Sequence, residues 1–130
     1  MSGIDRFEDL DAWKLCKKLC SEVYAVTSVG QFARDFELKD QFRRAAISAV
    51  ANIAEGFGRA GNPEFLQFLS IARGSANEVH ALIYVAVDLE LINGNKGQSL
   101  LSLADRSVAC ITALMISIQK SNTRGPKYDS

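Results

Sequence analysis

Gln41-Phe42-Arg43-Arg44-Ala45-Ala46-Ile47-Ser48-Ala49-Val50-Ala51-Asn52-Ile53-Ala54-Glu55-Gly56 is the stretch on which the fold turns. It has no proline and is rich in alanine, the best helix former. At about 100° per residue, Phe42, Ala45, Ala46, Ala49, Val50, Ile53 and Phe57 make one apolar arc. Ile47, Ala51 and Ala54 widen that arc to roughly two-thirds of the circumference, more than one core face needs. What remains is a narrow stripe of Gln41, Arg44, Ser48, Asn52 and Glu55, with Arg43 alone inside the apolar sector. The pattern predicts a central helix over about 36–57. One side faces a bundle interior and the other has apolar surface left for a second subunit. A subunit that exists alone with its Ile47–Ala51–Ala54 side in water would remove that assembly reading.

Outward from this segment, glycines at Gly56, Gly58, Gly61, Gly94 and Gly97 act as punctuation, and only Pro63 and Pro126 interrupt as prolines. Upstream, Ala12, Trp13, Leu15, Cys16, Leu19, Cys20, Val23, Tyr24 and Val26 share one half of a helix over about 9–28. Gly30 and Gln31 to Asp35 connect it to the next helix. Downstream, Asn62 as N-cap, Pro63 at the first helical position and Glu64 in the first turn open a third helix. Its apolar face runs from Phe65 to Val87 and closes at Leu91 with Asn93-Gly94, about 40 Å of helix at 1.5 Å per residue. A fourth helix over about 96–121 is lined by Leu100, Leu103, Val108, Ile111, Met115 and Ile118. Short links between long amphipathic helices imply antiparallel neighbours. The fold class is all-α, an up-down-up-down four-helix bundle. Residues 1–122 form its single domain and 123–130 a disordered polar tail.

The 130 residues are 48% hydrophobic and 23% charged, an ordinary globular balance. Fifteen basic and fifteen acidic residues cancel. Phosphate neutralisation supplies most nucleic-acid affinity, so a neutral chain needs a local patch to bind RNA. Apolar runs are short and broken by charge, so no membrane span is expected. The polar stretch Met1 to Asp9 is not a signal peptide, and three cysteines cannot all pair, so the cytoplasm is the expected compartment.

Several residue groups have chemistry to weigh. A buried Arg, Asn or Glu is costly unless paired, so the stripe Gln41, Arg44, Ser48, Asn52 and Glu55 reads as a network fixing helix register or a subunit interface. Glu78 and Arg59 are its candidate partners, and ligand binding is the alternative. Gly56 to Gly61 resembles a phosphate loop but lacks the preceding strand and the Lys-Ser/Thr ending, so it reads as a helix stop and link. Arg59, beside the third helix's start, could hold an anion there. Cys16 and Cys20 share the apolar face and His80 is the sole histidine, so core filling is favoured over a metal site. Lys14, Lys17 and Lys18 cluster on the polar side of the first helix. With Arg43 and Arg73 they are the candidate nucleic-acid contacts, and Arg106 could add to them, although a solvated face is the plainer reading. No catalytic residue, metal or cofactor is expected.

The order Gln41-Phe42-Arg43-Arg44-Ala45-Ala46, Ser48, Asn52-Ile53-Ala54-Glu55-Gly56 and Arg59, then Glu64-Phe65, Phe68-Leu69, Ala72-Arg73-Gly74-Ser75 and Glu78, resembles one known family. Phe7, Leu10 and Trp13 add to the likeness, which covers about Phe7 to Ile92. The family is that of 23S ribosomal RNA intervening-sequence proteins. The resemblance implies a four-helix bundle assembling into a ring-like homopentamer. Members were first noticed as reading frames within insertions of bacterial large-subunit ribosomal RNA genes. A related branch accompanies reverse transcriptases of diversity-generating retroelements and binds RNA and protein. The family has no established catalytic residues, so none carries over. This chain departs where Phe-Pro is common, at Gln31 to Phe36, and it lacks the strong basicity of the retroelement branch. The expected role is therefore an oligomeric, non-enzymatic scaffold with a protein or RNA partner. An RNA-binding accessory factor acting through basic patches is the alternative.

Overall fold

The computed structural model describes residues 4–59 and 61–123. Four helices make the fold: α1 (Asp11–Thr27), α2 (Phe36–Phe57), α3 (Asn62–Asp88) and α4 (Gly94–Thr123). Single turns of 3-10 helix stand before α1 (Phe7–Asp9) and before α2 (Phe32–Arg34). There is no strand among the described residues. Each helix packs on the next, and α4 closes back on α1, an all-α four-helix bundle. The expected tail falls largely outside the described residues, and so does Ala60 in the α2–α3 link.

The core has two stacked halves. Towards the end where α1 meets α2 and α3 meets α4, Leu19, Val23, Phe42, Val79, Ile83 and Leu100 pack together. Towards the other end, Cys16, Ile53, Phe65, Leu69, Ile111 and Ile118 form the second half. Phe32 reaches into the first half from the α1–α2 connection and is fully buried, its ring 5.7 Å from that of Phe42. The connection is therefore anchored. Gly30 bends it at φ +61°, and the Asp35 carboxylate accepts from the Leu38 amide (3.1 Å) to cap α2.

Helix ends differ from the sequence expectation where capping geometry decides them. Asn62 is the first residue of α3 rather than its cap. Gly61, at φ +98°, holds the cap position. α3 stops at Asp88, three residues early, in a Schellman turn. The Leu91 amide donates to the Ala86 carbonyl and the Glu90 amide to that of Val87, both at 2.9 Å. Glu90 takes φ +60°, a conformation glycine usually supplies. Asn93 does not close α3. Its side chain accepts from the Lys96 amide at 2.8 Å and starts α4 two residues sooner than expected.

Two glycines expected to punctuate the chain instead permit close packing. A Cβ on Gly56 would lie 2.6 Å from the Phe68 Cβ, so only glycine lets α2 and α3 meet this closely there. A Cβ on Gly97 would lie 2.6 Å from a Val87 methyl, and the same holds for α3 and α4 there. α4 is more apolar than its short runs suggest, without overturning the expectation of no membrane span. By length and composition alone it is apolar enough to cross a membrane, a test that core helices of bundles also pass. Counting short unbroken runs hid this, because Asp105 and Arg106 sit alone within a long apolar stretch. In the bundle Leu100, Leu103, Ala104, Ile111, Met115 and Ile118 use that apolarity as core.

Candidate functional site

The polar stripe of α2 lies along the α2–α3 seam. It is not a buried charge network: Gln41, Arg44 and Glu55 are exposed, and Ser48 and Asn52 are half-buried. Antiparallel packing sets three separate contacts. Gln41 donates to the carboxylate of Glu78. Ser48 and Ser75 share a hydroxyl–hydroxyl bond of 2.7 Å, and Asn52 reaches back to the Ser48 carbonyl (2.9 Å) and hydroxyl (3.1 Å). Glu55 pairs with Arg59 one turn on, at 2.6 Å, and that guanidinium lies over the Phe68 ring. Arg44 joins none of these contacts among the described residues. Ser75 was not among the stripe's expected partners. Only the register of α3 against α2 brings it opposite Ser48.

The outer surfaces of these two helices carry exposed apolar residues. Ile47 is 46% exposed, and Ala51, one turn further along α2, is exposed as well. Ala54 is half-buried. Across the seam Ile71 is 48% exposed, one turn before Ser75. Beside Ser75, Gly74 has nothing within 4 Å of where a Cβ would stand. A glycine in a helix interior costs about 1 kcal/mol relative to alanine, and nothing within this chain requires it here. Each helix therefore presents one half-exposed isoleucine with a small residue about one turn along, Ala51 on α2 and Gly74 on α3. Arg44 and Glu55 on α2 and Glu78 on α3 add charges of both signs to these helices.

Of the basic residues singled out from the sequence, Lys18 and Arg106 line one cleft, and Arg43 and Arg73 lie apart from it. Lys14, Lys17 and Lys18 are exposed on α1, with Lys17 near the face of Trp13. Arg43 is not alone. It stacks on Tyr24 at 4.2 Å and donates to Thr27 Oγ1 (2.8 Å) and Ser28 Oγ (3.0 Å), so it fastens α2 to the end of α1. Arg73 reaches Thr112 of α4 at 3.3 Å. Helix orientation sets Arg73 apart from the α1 lysines because α1 and α3 stand diagonally in the ring of packed helices.

The thiols are poor nucleophiles and poor metal ligands as they stand. Burial pushes the Cys16 thiol up to about 12, only partly offset by a hydrogen bond with Ser107. Burial raises Cys20 too, and burial with the nearby Asp11 charge raises Cys110. No three His, Cys, Asp or Glu side chains converge as a metal site among the described residues. His80 is half-buried, bonds Asp105 of α4 at 2.8 Å and meets Tyr84 edge-on. It ties α3 to α4.

The 23S rRNA-intervening sequence protein family matches over residues 8–113. A solved structure from Bacteroides thetaiotaomicron, a protein of unknown function from the S23 ribosomal protein family, shares the fold with a TM-score of 0.74. It is 19% identical, and the alignment covers 80% of this chain and 97% of that one. No curated protein matches at a significant level.

Proposed function

The chain belongs to the 23S rRNA-intervening sequence protein family, and on that premise we propose a non-enzymatic scaffold that assembles with copies of itself through the outer α2–α3 face. One observation carries the reading: α2 and α3 each leave an isoleucine, Ile47 and Ile71, about half exposed, with a small residue, Ala51 and Gly74, about one turn along. Burying a side chain of that size stabilises by about 1.5–3 kcal/mol. The open side of Gly74 lets a neighbouring helix approach closely. Zero net charge removes long-range repulsion between copies, and the mixed rim can pair with an equally mixed surface. An odd-numbered ring, which the family resemblance implies, needs two different faces in contact. Tyr84, Val85 and Leu89, exposed towards the end of α3, are the natural second face. The scaffold acts in the cytoplasm and presents its remaining surface to a partner.

Size-exclusion chromatography with light scattering tests this at micromolar concentration. The reading expects a mass several times the 14.2 kDa of one chain, and expects Ile47→Glu to lower it without loss of helix. A wild-type protein that runs as a single chain throughout removes the reading.

A further inference from the structure

The α1–α4 seam opens outward quite differently. A cleft of about 210 Å³ is lined by Lys18 and Glu22 of α1 and by Lys96, Ser99 and Arg106 of α4, over a floor that includes Leu100. Three cations face one carboxylate there, a local charge of +3 − 1 = +2 within a chain whose total is zero. Glu22 accepts a hydrogen bond from Lys96, and that bond, aided by the charges of Lys96 and Lys18, holds its carboxyl below the usual range. Arg106 has no ion pair or hydrogen bond among the described residues. Its neighbour Asp105 is turned to His80 on the α3 side, so it does not neutralise the guanidinium. Lys14 stands exposed one turn before Lys18 and continues the basic edge. Lys96 and Ser99 lie in the opening turns of α4, where the helix dipole favours negative charge.

We propose that this cleft binds a phosphate group. Arg106 offers a planar fork to two oxygens, Lys18 and Lys96 offer point charges, and the Ser99 hydroxyl can donate to a further oxygen. A carboxylate would need one such partner, whereas three converging cations suit a group with three or four oxygens and more than one charge. Glu22 occupies Lys96 while the cleft is empty and gives it up to the ligand. Two sources share this chemistry: a phosphorylated small molecule, and the backbone of a polynucleotide running on past Lys14. The cleft is complete within one chain, so it stands whether or not copies assemble.

Titration calorimetry at low salt tests the site with inorganic pyrophosphate and, separately, with a short oligouridylate. Lys18→Ser combined with Arg106→Ser should weaken pyrophosphate binding by about tenfold or more, the scale of lost charge-assisted contacts. Glu22→Gln should strengthen it by freeing Lys96. Lys17→Ser is the control, because it removes a charge from α1 outside the cleft and should change little. Oligouridylate that competes with pyrophosphate, its log affinity falling with log salt at a slope of about −2, identifies a polynucleotide backbone. Pyrophosphate binding without competition identifies a small phosphorylated ligand. Absence of saturable pyrophosphate binding, or equal weakening by the control, overturns the proposal.

Discussion

The α2–α3 and α1–α4 seams lie on opposite sides of one bundle, yet their outer edges differ in kind. Along α2–α3 the helices approach closely at Gly56, polar contacts fill the groove, and the exposed edge is isoleucine, alanine and glycine. Along α1–α4 the groove stays open as a small cleft and its edge is lysine and arginine. The interior does not account for this difference, because both seams rest on the same two apolar core halves. The surface an interface does not need for folding is where function is written. On the proposals made above, one edge would take a copy of the chain and the other a phosphate.

The sharpest way to break the contrast is at Gly56. Gly56→Val should destabilise by about 2–3 kcal/mol in urea melts, because the added atoms meet Phe68 and Phe65 where α2 and α3 approach closely. A change near zero would mean that the two helices do not pack as described. Gly74 supplies the opposite test on the same seam. In dilute, single-chain conditions Gly74→Ala should stabilise by about 1 kcal/mol, since its Cβ meets open space. At micromolar concentration the same variant should lower the assembled mass, because the copy that approaches there is pushed away. Stabilisation with no effect on mass would place the assembly face elsewhere.

Smaller effects sharpen the account of the bundle's ends and of the basic edge. Glu90→Gly should raise stability by up to about 1 kcal/mol, by relieving a non-glycine residue from φ +60° in the turn after α3. Glu22→Gln should cost about 0.2–1 kcal/mol at neutral pH, as expected of a partly exposed pair. The folded carboxyl holds its proton less tightly than the unfolded one, so folded chains bind fewer protons. Its contribution is therefore present above the ordinary carboxylate range and disappears as pH falls through the folded value. Urea midpoints of wild type and variant should converge at acid pH.

Much of the fold was legible because apolar spacing in all four helices follows a 3.6-residue period. The wide arc on α2 was legible for the same reason. Helix ends were less so. Asn93 could cap the helix before or after it, and nothing in the letters shows Glu90 taking a left-handed turn. Gly56 and Gly97 look like breaks until the facing Phe68 and Val87 are known to press against them. The candidate site split in the same way. Periodicity picks out Gln41, Ser48 and Asn52, but Ser75 becomes their partner only through the register of a second helix. Proximity in sequence joined Lys14, Lys17 and Lys18. Arg106 was legible as a possible addition but not as a neighbour, and Lys96 was not legible at all, because both lie more than seventy residues from Lys18 along the chain.

Sedimentation equilibrium of the wild-type protein, run beside Ile47→Glu and Ile71→Lys, tests the self-assembly claim most directly. The account predicts a defined multiple of 14.2 kDa for the wild type and a shift towards 14.2 kDa for both variants, each still fully helical. A wild-type mass of 14.2 kDa across the micromolar range, indistinguishable from the two variants, would contradict it.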